Sequence, residues 1–95
     1  MPKFIRLAHL TEQGAKNVKN MKAMVAEAQQ VMQAHGITLE AAYFTMGKYD
    51  IIAVVEAPDA QTAAKAHAQI AAQGNFRAET MPAIPLREFV EQLAK

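Results

Sequence analysis

The 95-residue sequence predicts an α+β domain of the ferredoxin-like, split βαβ class. Four short apolar-rich segments have the length and composition of β-strands, and two longer segments have the apolar spacing of amphipathic helices. They follow one another in the order β-α-β-β-α-β, which is the split βαβ pattern, and a further short helix comes after them. No linker, repeat or low-complexity tract interrupts the chain, so residues 1–95 are expected to form one domain.

The first strand is predicted at residues 3–10, and Thr11 is a candidate N-cap for the helix that follows. Gly36 is placed to end that helix. Apolar side chains recur within it at intervals of three and four residues: Val18, Met21, Val25, Ala28 and Met32. One helix over residues 12–35 would measure about 36 Å, against about 26 Å for the strand it covers. The sequence therefore predicts a break in the helix near residues 17–20.

Two strand-like runs, residues 37–46 and 49–57, lie on either side of Gly47 and Lys48. A glycine at the first of two turn positions predicts a type II′ hairpin turn, in which Gly47 has a positive φ. This turn would also set the register of the two strands. It would place Met46 opposite Tyr49, Thr45 opposite Asp50, Phe44 opposite Ile51, and Tyr43 opposite Ile52.

The second half of the chain predicts a helix, a strand and a final helix. Asp59 is a candidate N-cap for an alanine-rich helix at residues 60–73, and Gly74 is placed to end it. Residues 75–81 alternate in polarity like a strand that is half buried. A short amphipathic helix is predicted after Pro85, and its apolar side chains are Leu86, Phe89, Val90 and Leu93.

The hairpin register divides the side chains of the sheet between two faces. One face is consistently apolar and is assigned to the helices: Phe44, Met46, Tyr49, Ile51, Ala53 and Val55. The other is half apolar: Ala41, Tyr43, Thr45, Asp50, Ile52, Val54 and Glu56, with Arg77, Glu79 and Met81 from the last strand. Soluble monomers seldom expose so continuous an apolar patch. We therefore expect a homodimer or larger homo-oligomer in which two such faces meet.

Four short stretches resemble the GYD domain family, and together they extend over nearly the whole chain: Thr11–Gly14, Tyr43–Asp50, Glu56–Asp59 and Gly74–Thr80. The resemblance implies the organisation of a dimeric α+β barrel, in which two ferredoxin-like units press their sheets together and can enclose a cavity. The hairpin is also similar to the ligand-binding domains of leucine-responsive transcription regulators. This chain lacks their helix-turn-helix segment, so their DNA-binding role is not implied.

A candidate ligand site lies on the half-apolar face, where polar side chains converge: Arg6 or His9, Tyr43, Thr45, Asp50, Arg77 and Glu79. Arg6 and His9 lie on opposite faces of one strand. Arg6 is assigned to this face because Ile5 and Leu7 suit the helix side better. Carboxylates and arginines buried together can clamp a ligand, but more often they only pair across a dimer interface.

Composition excludes several classes of function. There is no cysteine, and the three histidines have no metal-binding spacing, so no disulfide, metal site or cofactor is expected. The 10 basic and 9 acidic side chains give a net charge of +1, which does not favour nucleic acid or an anionic membrane as a partner. No apolar run is long enough to cross a bilayer. A cytoplasmic protein is expected.

The function predicted first is a homo-oligomeric module that binds a small organic ligand in a cavity between subunits. Fold analogy offers a cofactor-free isomerase or oxygenase as an alternative. In that enzyme Asp50 or His9 would act as the base, and Tyr43 or Arg77 would stabilise the developing negative charge. The third alternative is an oligomerisation module with no ligand, whose interior would be filled by side chains.

Overall fold

The computed structural model describes residues 1–95 and contains one four-stranded antiparallel sheet, with strands in the order β2-β3-β1-β4. The strands are β1 (Lys3–Leu10), β2 (Thr38–Phe44), β3 (Ile51–Glu56) and β4 (Phe76–Ala83). The α-helices are α1 (Glu12–Lys16), α2 (Met21–Ala34), α3 (Ala60–Ala72) and α4 (Leu86–Leu93). This architecture confirms the predicted split βαβ fold with a terminal helix. None of the helices is long and apolar enough to span a membrane.

The helical segment between β1 and β2 changes direction where the sequence predicts a break. The Thr11 hydroxyl caps α1 by accepting the Gly14 N–H at 3.0 Å, and α1 ends at Lys16. A single 3₁₀ turn, Val18–Asn20, then leads into α2. Two short helices joined in this way fit along a strand that one continuous helix would overrun.

The core lies between the sheet and the pair α2 and α3. Its main cluster of nine buried residues comes from both layers: Phe4, Ala28, Met32, Ile37, Val55, Ala57, Ala63, Ala66 and Ile70. The buried positions of α3 are mostly alanine, which allows this helix to lie close to the sheet. Ile70 is the largest of its fully buried side chains, at 2% exposure. Burial of this kind supplies most of the favourable free energy of folding.

The hairpin register agrees with the prediction in the body of the strands. Phe44 pairs with Ile51 and Tyr43 pairs with Ile52. Pairing shifts by one residue between Leu39 and Ala41, so a β-bulge at Glu40 interrupts β2, which forms one edge of the sheet. Beyond the bulge, alternation resumes and the two faces of the sheet remain distinct.

The turn of the hairpin differs from the predicted two-residue type II′ turn. The strands stop at Phe44 and resume at Ile51, so the connection extends over residues 45–50. Gly47 does not have a positive φ. The glycines that do are Gly36, at 70°, and Gly74, at 84°, which follow α2 and α3 as the sequence predicts for helix ends.

Two residues of this connection do not lie where the alternation predicts. Met46 is 95% exposed, so it is not part of the helix-facing core. Tyr49 points to the opposite side of the sheet, as its contact with Glu79 shows. Because the connection is longer than two residues, strand alternation does not continue through it, and both assignments to the helix face are wrong.

The face assignment of β1 is also wrong. Alternate residues of β1 are buried beneath the helices: Phe4, Arg6 and Ala8. The residues between them lie on the other face of the sheet: Ile5, Leu7 and His9. Both faces of this strand carry apolar side chains, so the preference of two apolar side chains for the core does not decide its orientation. Arg6 therefore faces the helices, and His9 takes the position that was assigned to Arg6.

We call the sheet face without helices the open face. Cross-strand pairing places six apolar side chains on it: Ile5, Leu7, Tyr43, Ile52, Val54 and Met81. Tyr43 is 66% exposed and Met81 is 41% exposed. The charged or polar side chains of the same face include Lys3, His9, Glu56, Arg77 and Glu79, and Lys3 forms an ion pair with Glu56 at 3.8 Å. The prediction that this face is half apolar is confirmed.

The last helix, α4, has no buried residue. Its four apolar side chains are between 43% and 75% exposed: Leu86, Phe89, Val90 and Leu93. The Cα radius of gyration is 14.3 Å. A compact domain of this length has a value of about 12 Å, so the molecule is elongated. The predicted amphipathic helix is present, but its apolar stripe is not packed on its own domain.

The difference in φ between Gly36 and Gly47 can be tested by replacing each of them with valine. A Cβ atom would meet nothing within 4 Å at either Gly36 or Gly47, so the two positions differ mainly in φ. Gly36→Val should lower the free energy of unfolding by about 1 to 3 kcal/mol because valine is strained at positive φ. Gly47→Val should change it by less than about 0.5 kcal/mol. Urea denaturation measures both, and equal losses would show that Gly47 also needs a left-handed backbone.

Candidate functional site

A polar cluster lies on the open face near the end of β1. The Tyr49 hydroxyl donates a hydrogen bond to Glu79 Oε2 at 2.7 Å. Tyr49 precedes β3 and Glu79 lies on β4, so this contact reaches across β1. The hydrogen bond, with burial and the negative charge of Glu79, raises the pKa of Tyr49 above its usual value. The phenol therefore stays protonated at neutral pH and acts as a donor.

Three other site residues predicted from the sequence lie on the same face as this hydrogen bond. His9 and Arg77 are direct cross-strand partners. Tyr43 lies in the same row across the sheet as Glu79, separated from it by the apolar pair Ile52 and Leu7. The row ends in a phenol on β2 and a carboxylate on β4. The open face thus carries polar groups along its sides and at one end, with an apolar middle.

Asp50 and Thr45 form hydrogen bonds to the main chain. Asp50 Oδ2 accepts the Leu10 N–H at 2.8 Å, and the Asp50 N–H donates to the Ala8 carbonyl at 2.8 Å. Thr45 donates its hydroxyl proton to the Tyr49 carbonyl at 2.5 Å. Asp50 therefore fastens the β2–β3 connection to the end of β1, and Thr45 closes the connection on itself. This arrangement positions Tyr49 over the open face.

Arg6 belongs to a second polar group on the helix side of the sheet. Its Nη1 donates to Thr80 Oγ1 at 3.0 Å and lies 3.4 Å from His67 Nδ1. Thr80 Oγ1 and His67 Nδ1 are 2.8 Å apart. Burial, together with the positive charge of Arg6, lowers the pKa of His67. A neutral His67 accepts the Thr80 hydroxyl proton, which completes a chain of hydrogen bonds from arginine to threonine to histidine.

His67 and Thr80 are not among the site residues that the sequence predicts. A signal was present for each of them. His67 falls three residues before Ile70 and four after Ala63, on the apolar stripe of α3. Thr80 is opposite Arg6 in the β1–β4 pairing, so their side chains lie on the same face. If the orientation of β1 had been predicted correctly, Arg6, His67 and Thr80 would have been placed on the same side of the sheet.

A cavity of about 230 Å³ lies next to Arg6, between α2 and the sheet. Four alanines on its walls leave the space unfilled: Ala8, Ala28, Ala42 and Ala53. Of its 15 lining residues, 13 are hydrophobic, and the other two are Arg6 and Gln29. Phe44, which is 62% exposed, also lines it, so the cavity reaches the surface near the end of β2.

The family model of the GYD domain matches residues 4–93. The chain belongs to the GYD domain family. A protein of Thermus thermophilus, named glutamine synthetase and cystathionine beta-lyase binding protein, is 37% identical over 94 residues. The match covers 98% of this chain and 99% of the Thermus protein. The resemblance predicted from the sequence motifs is thus confirmed.

Solved structures share the fold of this GYD domain at low sequence identity. The crystal structure of FFRP-DM1 has a TM-score of 0.60 at 21% identity, covering 88% of this chain and 100% of that one. An unknown protein from Galdieria sulphuraria has a TM-score of 0.55 at 15% identity, covering 88% and 45% respectively. The C-terminal domain of MgtC from Mycobacterium tuberculosis has 0.52 at 14% identity, covering 86% of each chain.

The geometry explains the motif Gly-Lys-Tyr-Asp in this GYD domain. Tyr49 carries the polar contact to β4, and Asp50 ties the connection to β1. The Lys48 amine lies 5.6 Å from the centroid of the Tyr49 ring, a distance at which a cation is attracted to the ring face. The motif therefore holds one phenol over the open face, and Gly47 leaves the exposed end of the connection without a side chain.

The lowered pKa of His67 makes the stability of this GYD domain depend on pH. The unfolded chain binds a proton at His67 near its ordinary pKa of 6.5, whereas the folded chain binds it only at lower pH. As the pH falls through 6.5, the unfolded state therefore binds more protons and the free energy of unfolding decreases. The pKa values of Glu40 and Asp59 are also lowered. Their contributions to the free energy of unfolding are lost only in a more acidic range, as the pH falls below the ordinary pKa values of 4.5 and 3.8.

Melting temperatures of the wild type and His67→Gln, compared between about pH 7.5 and 5, test this dependence. The wild type should lose stability more steeply than the variant as the pH falls below 6.5. Parallel curves for the two proteins would contradict the assigned neutral state of His67.

Proposed function

We propose that this GYD domain is a homo-oligomeric binding module in which a second copy covers the open face. The uncovered apolar side chains at the centre of that face support the proposal, because water would otherwise contact six of them on one surface. The face also carries both signs of charge. Glu56 is already paired with Lys3 of its own chain, but a two-fold axis can bring His9 and Arg77 of one copy towards Glu79 of the other.

We further propose that the oligomer binds metabolic enzymes. The proposal rests on the Thermus relative, whose name states that it binds glutamine synthetase and cystathionine beta-lyase and whose sequence matches nearly end to end. The first partners to examine are those two enzymes. A cytoplasmic location is part of the same proposal.

The docking element for such a partner is α4. Its apolar side chains occupy positions i, i+3, i+4 and i+7 of one helix face: Leu86, Phe89, Val90 and Leu93. Amphipathic helices that bind in a hydrophobic groove use this spacing for their anchoring side chains. The opposite face of α4 is polar and carries Arg87, Glu88, Glu91 and Gln92. An enzyme with an apolar groove would bury one face of α4 and leave the other in water.

A small organic ligand between two open faces is the second candidate function. The hydrogen bond between Tyr49 and Glu79, with His9 and Arg77 on the same face, supports it. Tyr43 would add a second phenol at the other side. In this scheme Thr45 and Asp50 do not contact the ligand, and their hydrogen bonds to the main chain hold Tyr49 in position. Asp50 is not proposed as a catalytic base because its carboxylate already accepts the Leu10 N–H.

Self-association through the open face can be tested by adding a charge at its centre. Ile52→Glu should reduce the mass in solution to that of one chain, 10.4 kDa, since a buried carboxylate without a partner is costly. Gln33→Glu adds the same charge on the exposed side of α2 and should leave the mass of the oligomer unchanged. Sedimentation equilibrium at micromolar concentration measures both. A wild-type mass of a single chain would refute the oligomer.

Enzyme binding through α4 can be tested with a second matched pair. Phe89→Glu places a charge on the apolar face of α4, and Gln92→Glu places the same charge on its polar face. Loss of an apolar anchor from a groove weakens binding by about 2 kcal/mol or more, which is roughly 30-fold. Binding to purified glutamine synthetase and cystathionine beta-lyase can be followed by size-exclusion chromatography and calorimetry. Equal effects of the two variants would exclude α4 as the docking element.

A further inference from the structure

Arg6 carries a buried positive charge with no negative partner. Its side chain is largely removed from solvent, because the residue retains only 9% of its exposure. None of the ion pairs of the chain includes it. Only Nη1 donates a hydrogen bond, and both of its neighbours, Thr80 and His67, are neutral groups. A guanidinium offers five N–H donors, so most of its donor capacity is unused.

Burial without a counter-ion is energetically unfavourable for this side chain. Desolvation lowers the pKa of Arg6, and no carboxylate opposes that effect. Replacing a buried charge by an apolar side chain of similar size is often neutral or stabilising in other proteins. An arginine in this place therefore costs stability unless an anion completes it. No carboxylate of the chain lies within ion-pair distance of the Arg6 guanidinium.

The space beside the Arg6 side chain is apolar and large enough for a small molecule. Arg6 lines the cavity between α2 and the sheet, whose volume is about 230 Å³. An apolar cavity on the order of 150 Å³ binds benzene in another protein. The remaining walls are hydrophobic apart from Gln29. A ligand in this cavity would have an apolar body, with one group for Arg6 at its inner end.

We propose that the cavity beneath α2 binds an apolar monocarboxylate whose carboxylate group pairs with the Arg6 guanidinium. The planar fork of arginine N–H groups matches the two oxygens of a carboxylate. A single cation balances a single negative charge, whereas a phosphate dianion would need more positive charge than the lining contains. The hydrophobic walls require the rest of the ligand to be aliphatic or aromatic. This site shares only Tyr43, on the edge strand β2, with the open face and shares no residue with α4.

Methionine methyl groups report directly on the location of the ligand. Met21 and Met32 line the cavity, whereas Met46 is exposed in the β2–β3 connection and Met81 lies on the open face. Protein labelled with ¹³C at the methionine methyls should show shifts of Met21 and Met32 when hexanoate or benzoate is added. Met46 and Met81 should not shift. Shifts confined to Met81 would place the ligand on the open face and overturn the proposal.

Thermal stability tests the charge requirement. Hexanoate at about a hundredfold excess over its Kd should raise the melting temperature by about 10 °C or more. Hexanamide, which is similar in shape but neutral, should raise it far less, and inorganic phosphate should have no effect. An equal shift with hexanamide would show an apolar cavity that makes no use of Arg6, and would refute the pairing.

Substitutions test whether the rise in melting temperature with hexanoate depends on Arg6. Arg6→Met should melt at or above the temperature of the ligand-free wild type and should lose the response to hexanoate. Arg87→Met removes an exposed arginine from the polar face of α4 and should keep the response. Ala42→Leu fills the cavity from β2 and should also abolish it, which tests the site even if Arg6→Met does not fold. A response retained in Ala42→Leu would contradict the proposed location.

The outcome is independent of the proposed oligomer and enzyme partner. Arg6 faces the helices, so Arg6→Met should leave the mass in sedimentation equilibrium equal to that of the wild type. A protein that is monomeric, or that binds neither enzyme, would still show the methionine shifts if the cavity binds carboxylates. A protein that oligomerises and binds both enzymes but gives no shift with any carboxylate would refute the cavity site alone.

Discussion

The packing of both long helices on one face of the sheet is the constraint on which the rest of this structure depends. A helix that joins two parallel strands of one sheet crosses over with a right-handed turn. The two crossovers in this chain, through α2 and through α3, interleave in the strand order β2-β3-β1-β4 and place both helices on the same side. That single packing interaction forms the core. It also leaves the opposite face with no cover from its own chain.

The sequence predicted the features that depend on local chemistry, and it failed where the outcome depends on a comparison between the two faces of the sheet. Segment order, helix ends and the hairpin pairs Phe44 with Ile51 and Tyr43 with Ile52 depend on local chemistry, and the sequence predicted them. The orientation of β1 depends on a comparison between its two faces. Both faces of β1 carry apolar side chains: Phe4 and Ala8 lie beneath the helices, and Ile5 and Leu7 lie on the open face. Hydrophobicity alone therefore could not determine whether Arg6 or His9 faces the helices.

The candidate site shows the same limit for a different reason. Glycine before lysine indicates a tight turn, but the chain forms a longer connection, and the Asp50 carboxylate at its end accepts the Leu10 N–H. That contact joins residues 40 positions apart, so no local pattern reveals it. Tyr49, the residue before Asp50, lies outside the core and contacts Glu79. The sequence identified most residues of the open face correctly, but it did not predict that Tyr49 would lie there and contact Glu79.

The bulge at Glu40 has a consequence for the form of assembly. β2 and β4 are the edge strands, whose free N–H and C=O groups could pair with another molecule. The bulge breaks the regular ladder of β2, and Glu40 holds an ion pair with Lys3 there. On the other edge, Pro82 has no N–H to donate. Growth of one sheet into the next, which leads to open-ended fibrils, is disfavoured at both edges.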